Sequence, residues 1–163
     1  MYDSYLHQIL INRYFLPEYS LKISCDDAEE LYVDGVKQTL AHSATWNTAS
    51  HVRIPPGNKR LIAVLCKNAD LEGGLIVQMD LLEGRKLSTD KSWLCSTKLV
   101  NNWFLPTTQV SAADWKPAAE LARAHDLGGE FDSDVKWIWS EETGKTAHTI
   151  YCRKFVDLPG VTC

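Results

Sequence analysis

Apolar positions along the chain fall in the pattern of strands. Short segments rich in Val, Ile, Leu, Tyr and Trp recur at intervals of about ten residues, with Gly, Pro, Asn and Asp between them, the spacing of antiparallel β-structure. Strands are predicted near residues 8–15, 20–26, 30–34, 36–41, 50–54, 60–67, 74–82, 92–98, 135–140 and 148–156. Asp34-Gly35, between LYV and VKQTL, signals a two-residue hairpin because both central positions of that turn favour positive φ. Pro55-Pro56-Gly57-Asn58 reverses the chain before RLIAVLC. LIVQMDLL, after Gly73-Gly74, alternates little and predicts a strand buried on both faces.

One stretch departs from the strand pattern. AADWKPAAELARAH, 112 to 125, has the composition of a short helix, with Asp114 as its cap and Pro117 in its first turn, placed to cover one end of a sandwich. The following DLGGEFDSD reads as a polar loop. INRYFLP at 11–17 and YCRKFVDLP at 151–159 share an Arg-x-Phe core followed by proline. Two edge strands of one sandwich converging in composition account for this, the alternative being a tail that begins a second module. The expected architecture is an all-β, antiparallel jelly-roll sandwich with one short helix. It is a single module over 1–163, with a core of about 8–156 and a tail from 157 that could lead to a further module in a parent protein.

Charge and hydropathy narrow the partners. The chain carries 17 basic and 21 acidic residues, a formal net charge of -4, and no Lys/Arg run longer than two, so it offers no basic face to nucleic acid. Its apolar runs fall short of the roughly 20 residues that insert in a bilayer, which argues against membrane insertion. Cysteines at 25, 66, 95, 152 and 163 lack metal-binding spacing. The first four sit in predicted strands, as core thiols or as disulfides, and disulfides are preferred, paired Cys66 with Cys95 and Cys25 with Cys152, with Cys163 left over. Disulfides imply a secreted or extracellular protein.

Three groups of residues carry candidate chemistry. ISCDDAEELYVDG, 23 to 35, is dense in carboxylates. Neighbouring Asp26 and Asp27 on a strand point to opposite faces and cannot by themselves flank a glycosidic bond, so catalysis is not expected from them. Asp26, Asp27 and Glu29 supply the oxygens a calcium ion takes; the alternative is a solvated bend. In the polar loop HSATWNTASH, Trp46 offers an indole face to the C–H side of a sugar, with Asn47, His42 and His51 as partners for its hydroxyls; the alternative is an indole folded back to plug the sandwich end. Trp93, Trp103, Trp115, Trp137 and Trp139 lie in or beside apolar stretches and read chiefly as core, Trp137 and Trp139 with an aromatic platform as the alternative. No nucleophile elbow, zincin, P-loop or dinucleotide fingerprint is present, and the expectation is that the chain is not an enzyme.

SLKISCDDAEELYVDG, then the Trp46 loop, then RIPPGNKRLIAVLCKNADLEGGLIVQMDLLEGRKLSTDKSW resembles the galactose-binding-domain-like β-sandwich. The likeness is to non-catalytic accessory modules of bacterial rhamnosidases and other glycoside hydrolases, and covers roughly residues 8 to 155. Its carriers are Asp26 and Asp27, Leu31 to Gly35, Pro56 to Asn58, Ile62 to Val64, Gly73 to Leu75 and Thr89 to Trp93. The family's Trp-Ile-Trp and Tyr-x-Arg-x-Phe motifs usually open the domain, whereas Trp137 to Trp139 and Tyr151 to Phe155 close this chain. A looser likeness to protective-antigen-type modules implies aspartates that hold calcium. The resemblance implies a jelly roll and a lectin-like, calcium-assisted glycan or glycoprotein partner. The rival expectation is a structural or protein-interaction module that self-associates through strand edges or Cys163.

Overall fold

The computed structural model describes residues 18–41, 46–69, 73–122, 127–140 and 149–160. The predicted strand at 8–15, the first Arg-x-Phe segment, His42 and Cys163 lie outside them. The strands are Tyr19–Asp26 (β1), Ala28–Val33 (β2), Val36–Lys37 (β3), Ser50–Ile54 (β4), Gly57–Lys67 (β5), Gly74–Asp80 (β6), Lys86–Ser88 (β7), Leu94–Ser96 (β8), Lys116–Pro117 (β9), Ala119–Glu120 (β10), Ile138–Trp139 (β11) and Thr149–Leu158 (β12). They form two six-stranded antiparallel sheets, one ordered β10-β11-β6-β1-β4 with β7 beside β6, the other β3-β2-β5-β12-β8-β9. The fold is the expected all-β sandwich.

Period-two patterning explains the layers. In β4, Ser50, Val52 and Ile54 are buried while His51 and Arg53 are exposed, and in β2 Leu31 and Val33 turn inward. Between the sheets lie Leu21, Ile23, Leu31, Ile62, Val64, Val77, Met79, Trp93, Ile150 and others. β6 is buried on both faces as predicted, because Leu127, Val135 and Trp137 pack over Ile76 on the outside of the first sheet. The outside of the second sheet carries an aromatic layer from the segment between β8 and β9. There Trp103 lies 5.2 Å from Tyr151 and 6.1 Å from Trp115, and Phe104 stacks on Tyr32 at 4.6 Å. All five tryptophans read as core are buried, and Trp137 and Trp139 form no exposed platform.

Two local rules carry particular weight. Asp34 (φ 49°) and Gly35 (φ 88°) make the predicted turn, and Asp34 then clasps β5, accepting from Leu61 N at 2.7 Å and pairing with Arg60 at 2.5 Å. Gly73 and Gly74 are set by packing rather than flexibility. A Cβ on Gly73 would enter the ring of Trp139, and one on Gly74 would stand 2.7 Å from Trp137 Cε3.

Two expectations need correction. Residues 112–122 form a turn followed by β9 and β10 rather than a helix, and the one helical element among the described residues is a 3₁₀ turn, Leu82–Gly84. Trp115 and Ala118 are buried with exposed Lys116 and Pro117 between them, and Ala118 N donates to Trp93 O at 2.8 Å. Docking against sheet backbone outweighs the helix-forming composition, and Pro117, without an N–H, sits at the sheet edge that tolerates it. The disulfides join the predicted four cysteines but in another pairing, Cys25–Cys66 and Cys95–Cys152, with Cα separations of 5.8 and 4.1 Å. Cys95 and Cys152 are direct partners across β8 and β12. Cys25 meets Cys66 because β1 leaves its sheet at Asp27, whose N–H donates to Lys67 O at 2.6 Å, beside Cys66. One bridge therefore ties the two sheets together and the other staples neighbours within one.

Candidate functional site

The carboxylates of the opening bend diverge once the chain folds. Asp27, with a cis peptide bond between it and Asp26, marks the crossing from one sheet to the other, and its Oδ2 accepts from Ala69 N at 2.6 Å. Glu29 points inward at 7% exposure, where Ser50 Oγ donates to its Oε1 at 3.4 Å. Burial pushes its pKa from 4.5 up to about 7, against the opposing pull of Ser50 and of backbone groups of Glu29 and Cys25. Glu30 faces the other way, accepting from Tyr32 Oη at 2.7 Å and pairing with Lys37 at 3.0 Å. These bonds hold the Glu30 carboxyl below the usual carboxylate range, the Tyr32 hydroxyl contributing most. Among the described residues no three His, Cys, Asp or Glu side chains are grouped to hold a metal ion. Among the described residues, Asp26, Asp27 and Glu29 are therefore not gathered into the convergent oxygen cluster that a hard cation takes.

The aromatic loop does build a surface. Trp46 and Asn47 are exposed, Trp46 to 37%, and the loop is tied down where Ser24 Oγ of β1 donates to Trp46 O at 2.8 Å. Ser24 lies on the outer face of its sheet, two residues beyond Lys22, whose direct partner across β1 and β4 is His51. At strand spacing, the Trp46 anchor and the Lys22–His51 row are about 7 Å apart along one face. The backbone of Trp46 is therefore anchored on the face that carries His51, both residues named from sequence.

That face carries three groups that sequence reasoning missed, namely Lys22, Glu130 and Phe131. His51 Nε2 stands 3.5 Å from Glu130 Oε2, Lys22 Nζ donates to Glu130 O at 2.6 Å, and Lys22 Nζ lies 5.7 Å from the centre of the Phe131 ring. Asp132 N donates to Gln78 Oε1 at 2.9 Å and helps fasten this loop to β6. In sequence Glu130 and Phe131 sit in a polar loop far from Trp46, and nothing local marks them as its neighbours. This face carries an imidazole, a carboxylate and an ammonium, with the loop of the exposed Trp46 anchored on it, groups of the kind that stack a ring and bond its hydroxyls. Comparison of the chain with protein-family models, curated proteins and solved structures found no match.

Proposed function

We propose that this chain is a non-catalytic, lectin-like carbohydrate-binding module of the galactose-binding-domain-like kind, working in an extracellular setting. The observation that carries the reading is the exposure of Trp46 on a loop anchored to the face that holds His51, Glu130 and Lys22. A large indole at a wet surface beside fixed donors and acceptors is what a shallow sugar site requires. The two disulfides agree with an oxidising compartment, and no helix among the described residues is long and apolar enough to cross a membrane.

The test is a glycan array probed with the wild type and with Trp46→Ala, each with calcium and with EDTA. Wild-type binding that survives EDTA and is lost in Trp46→Ala, with unchanged thermal unfolding, is the expected outcome; multivalent display makes a weak site detectable. Equal binding by the two proteins would remove Trp46 from the site, and EDTA sensitivity would restore a metal. The rival reading, a self-associating structural module, draws on the short edge strand β3, where Val36 is 64% exposed. It predicts concentration-dependent sedimentation with no glycan signal.

A further inference from the structure

A second surface, on the opposite sheet, has its own chemistry. The outer face of β12 carries Tyr151, Arg153 and Phe155, and the layer between β8 and β9 covers Tyr151 but stops short of Phe155. Where it stops there is a groove of about 380 Å³, lined by Ser92, Leu94, Thr108, Arg153, Lys154 and Phe155 among others. Phe155 is 47% exposed and Leu94 37%, so two of the large apolar side chains left open to water stand in this groove. A second hollow, lined by Lys59, Phe155, Val156 and Asp157, shares Phe155 with the first.

Arg153 is the unusual element. It is 4% exposed, and among the described residues it pairs with no carboxylate. Among the described residues its side chain donates from Nη1, to Trp103 O and Thr108 O, each at 3.1 Å. Its guanidinium lies 5.4 Å from the centre of the Phe155 ring. Burial draws its pKa below the usual guanidinium value, yet the group stays charged at any working pH. Carbonyl dipoles compensate a buried cation only in part, and the Nε and Nη2 edge, on the side away from Nη1, belongs to a residue that lines the groove. That edge of the guanidinium carries two parallel N–H groups, the fork that accepts a carboxylate side-on. Lys154 adds a second positive charge, steered by Ser92, whose Oγ accepts from Nζ at 2.6 Å. No acidic side chain lines this groove.

We infer that the groove is a second ligand site, one that takes the carboxylate of an acidic sugar, with Arg153 and Lys154 facing the anion and Phe155 stacking on the pyranose ring. Neither half of the recognition would serve alone. A carboxylate without a ring leaves Phe155 and Leu94 wet, and a neutral sugar leaves the cation uncompensated. Ser92, Thr108 and Gln109 also line the groove; Ser92 Oγ donates to Asp90 and Thr108 Oγ1 to Asn102 O, so the Thr108 hydroxyl is left to accept from a sugar hydroxyl and the Gln109 amide to exchange bonds with it. The site is independent of the Trp46 loop, which is anchored on the other sheet.

The test is an NMR titration of the disulfide-bonded full chain with potassium D-glucuronate, D-glucose and potassium acetate at one ionic strength. Arg153 Nε–H and the Phe155 amide report on this groove, and the Trp46 indole N–H on the other site. D-glucuronate should move the groove signals saturably, while D-glucose and acetate each bind about tenfold or more weakly, as loss of a charge-assisted pair or of a stacking face implies. Lys154→Gln and Phe155→Ala, both at positions outside the packed interior, should each weaken D-glucuronate several-fold while the Trp46 signals stay in place. Absence of saturable shifts at Arg153, or equal affinity for D-glucose or for acetate, would overturn the inference. Failure at the groove with retained sugar-induced shifts at Trp46 would leave the first site standing, and the reverse pattern would leave only the second.

Discussion

Glu29 makes the stability of the fold depend on pH in a direction opposite to that of most carboxylates. Its pKa is 4.5 when exposed and about 7 in the folded chain. Below pH 4.5 the group is protonated in both states and contributes no pH dependence. Between pH 4.5 and 7 the unfolded chain has lost the proton and the folded chain still holds it, so stability falls as pH rises, and the loss is complete above about pH 7. At 1.36 kcal/mol per pH unit, the loss amounts to about 3 kcal/mol, a large part of the margin of a single domain. Glu29→Gln keeps the shape and an acceptor for Ser50 Oγ but cannot ionise. Urea denaturation of both proteins at pH 4.5, 6, 7 and 8 isolates the effect as a difference between them. The variant should match the wild type within about 1 kcal/mol at pH 4.5 and exceed it by about 2–3 kcal/mol at pH 8. Parallel profiles across that range would show that the carboxyl is ionised and solvated in the folded chain, and the buried geometry beside Ser50 would be wrong.

Further predictions concern the frame. Replacing Cys25 and Cys66 together by Ser should lower stability by about 2–4 kcal/mol, because the bridge closes a 41-residue separation and ties the two sheets; a loss below about 1 kcal/mol would refute that role. Non-reducing peptide mapping should recover Cys25–Cys66 and Cys95–Cys152, and a Cys66–Cys95 peptide would contradict the sheet order. Gly73→Ala pushes a methyl group into fully buried Trp139 and should cost about 1–3 kcal/mol; an unchanged thermal midpoint would mean the indole is not seated there. Asp34→Ala removes the acceptor for Leu61 N and the partner of Arg60, with an expected loss of about 1–3 kcal/mol in urea titration, and full stability would show that the clasp is idle.

Much of this protein follows from local pattern. The alternation in SHVRI, the Asp34-Gly35 turn and the apolar β6 each identify an element without reference to anything distant, since strand faces and turn conformers are set by neighbours in the chain. That also made Trp46 and His51 nameable as surface candidates, and four cysteines as bridge partners. What sequence left undecided depends on which strands lie side by side. Cys152 pairs with Cys95 through the β8–β12 register, a contact 57 residues long that no spacing rule encodes. Over residues 112–122 the expected helix lost to edge pairing because the backbone bond to Trp93 and burial of Trp115 outweigh a modest propensity. Glu29 and Asp27 are chemically alike in the sequence, yet the crossing between sheets sends one into the interior and leaves the other capping Ala69 N. The Glu130–His51 contact and the bonds from Arg153 to Trp103 O and Thr108 O likewise exist only where loops from distant segments close over opposite sheets. Local sequence determined the strands and their faces; only the tertiary structure decided which side chains meet, because contact between distant segments is a property of the packed whole.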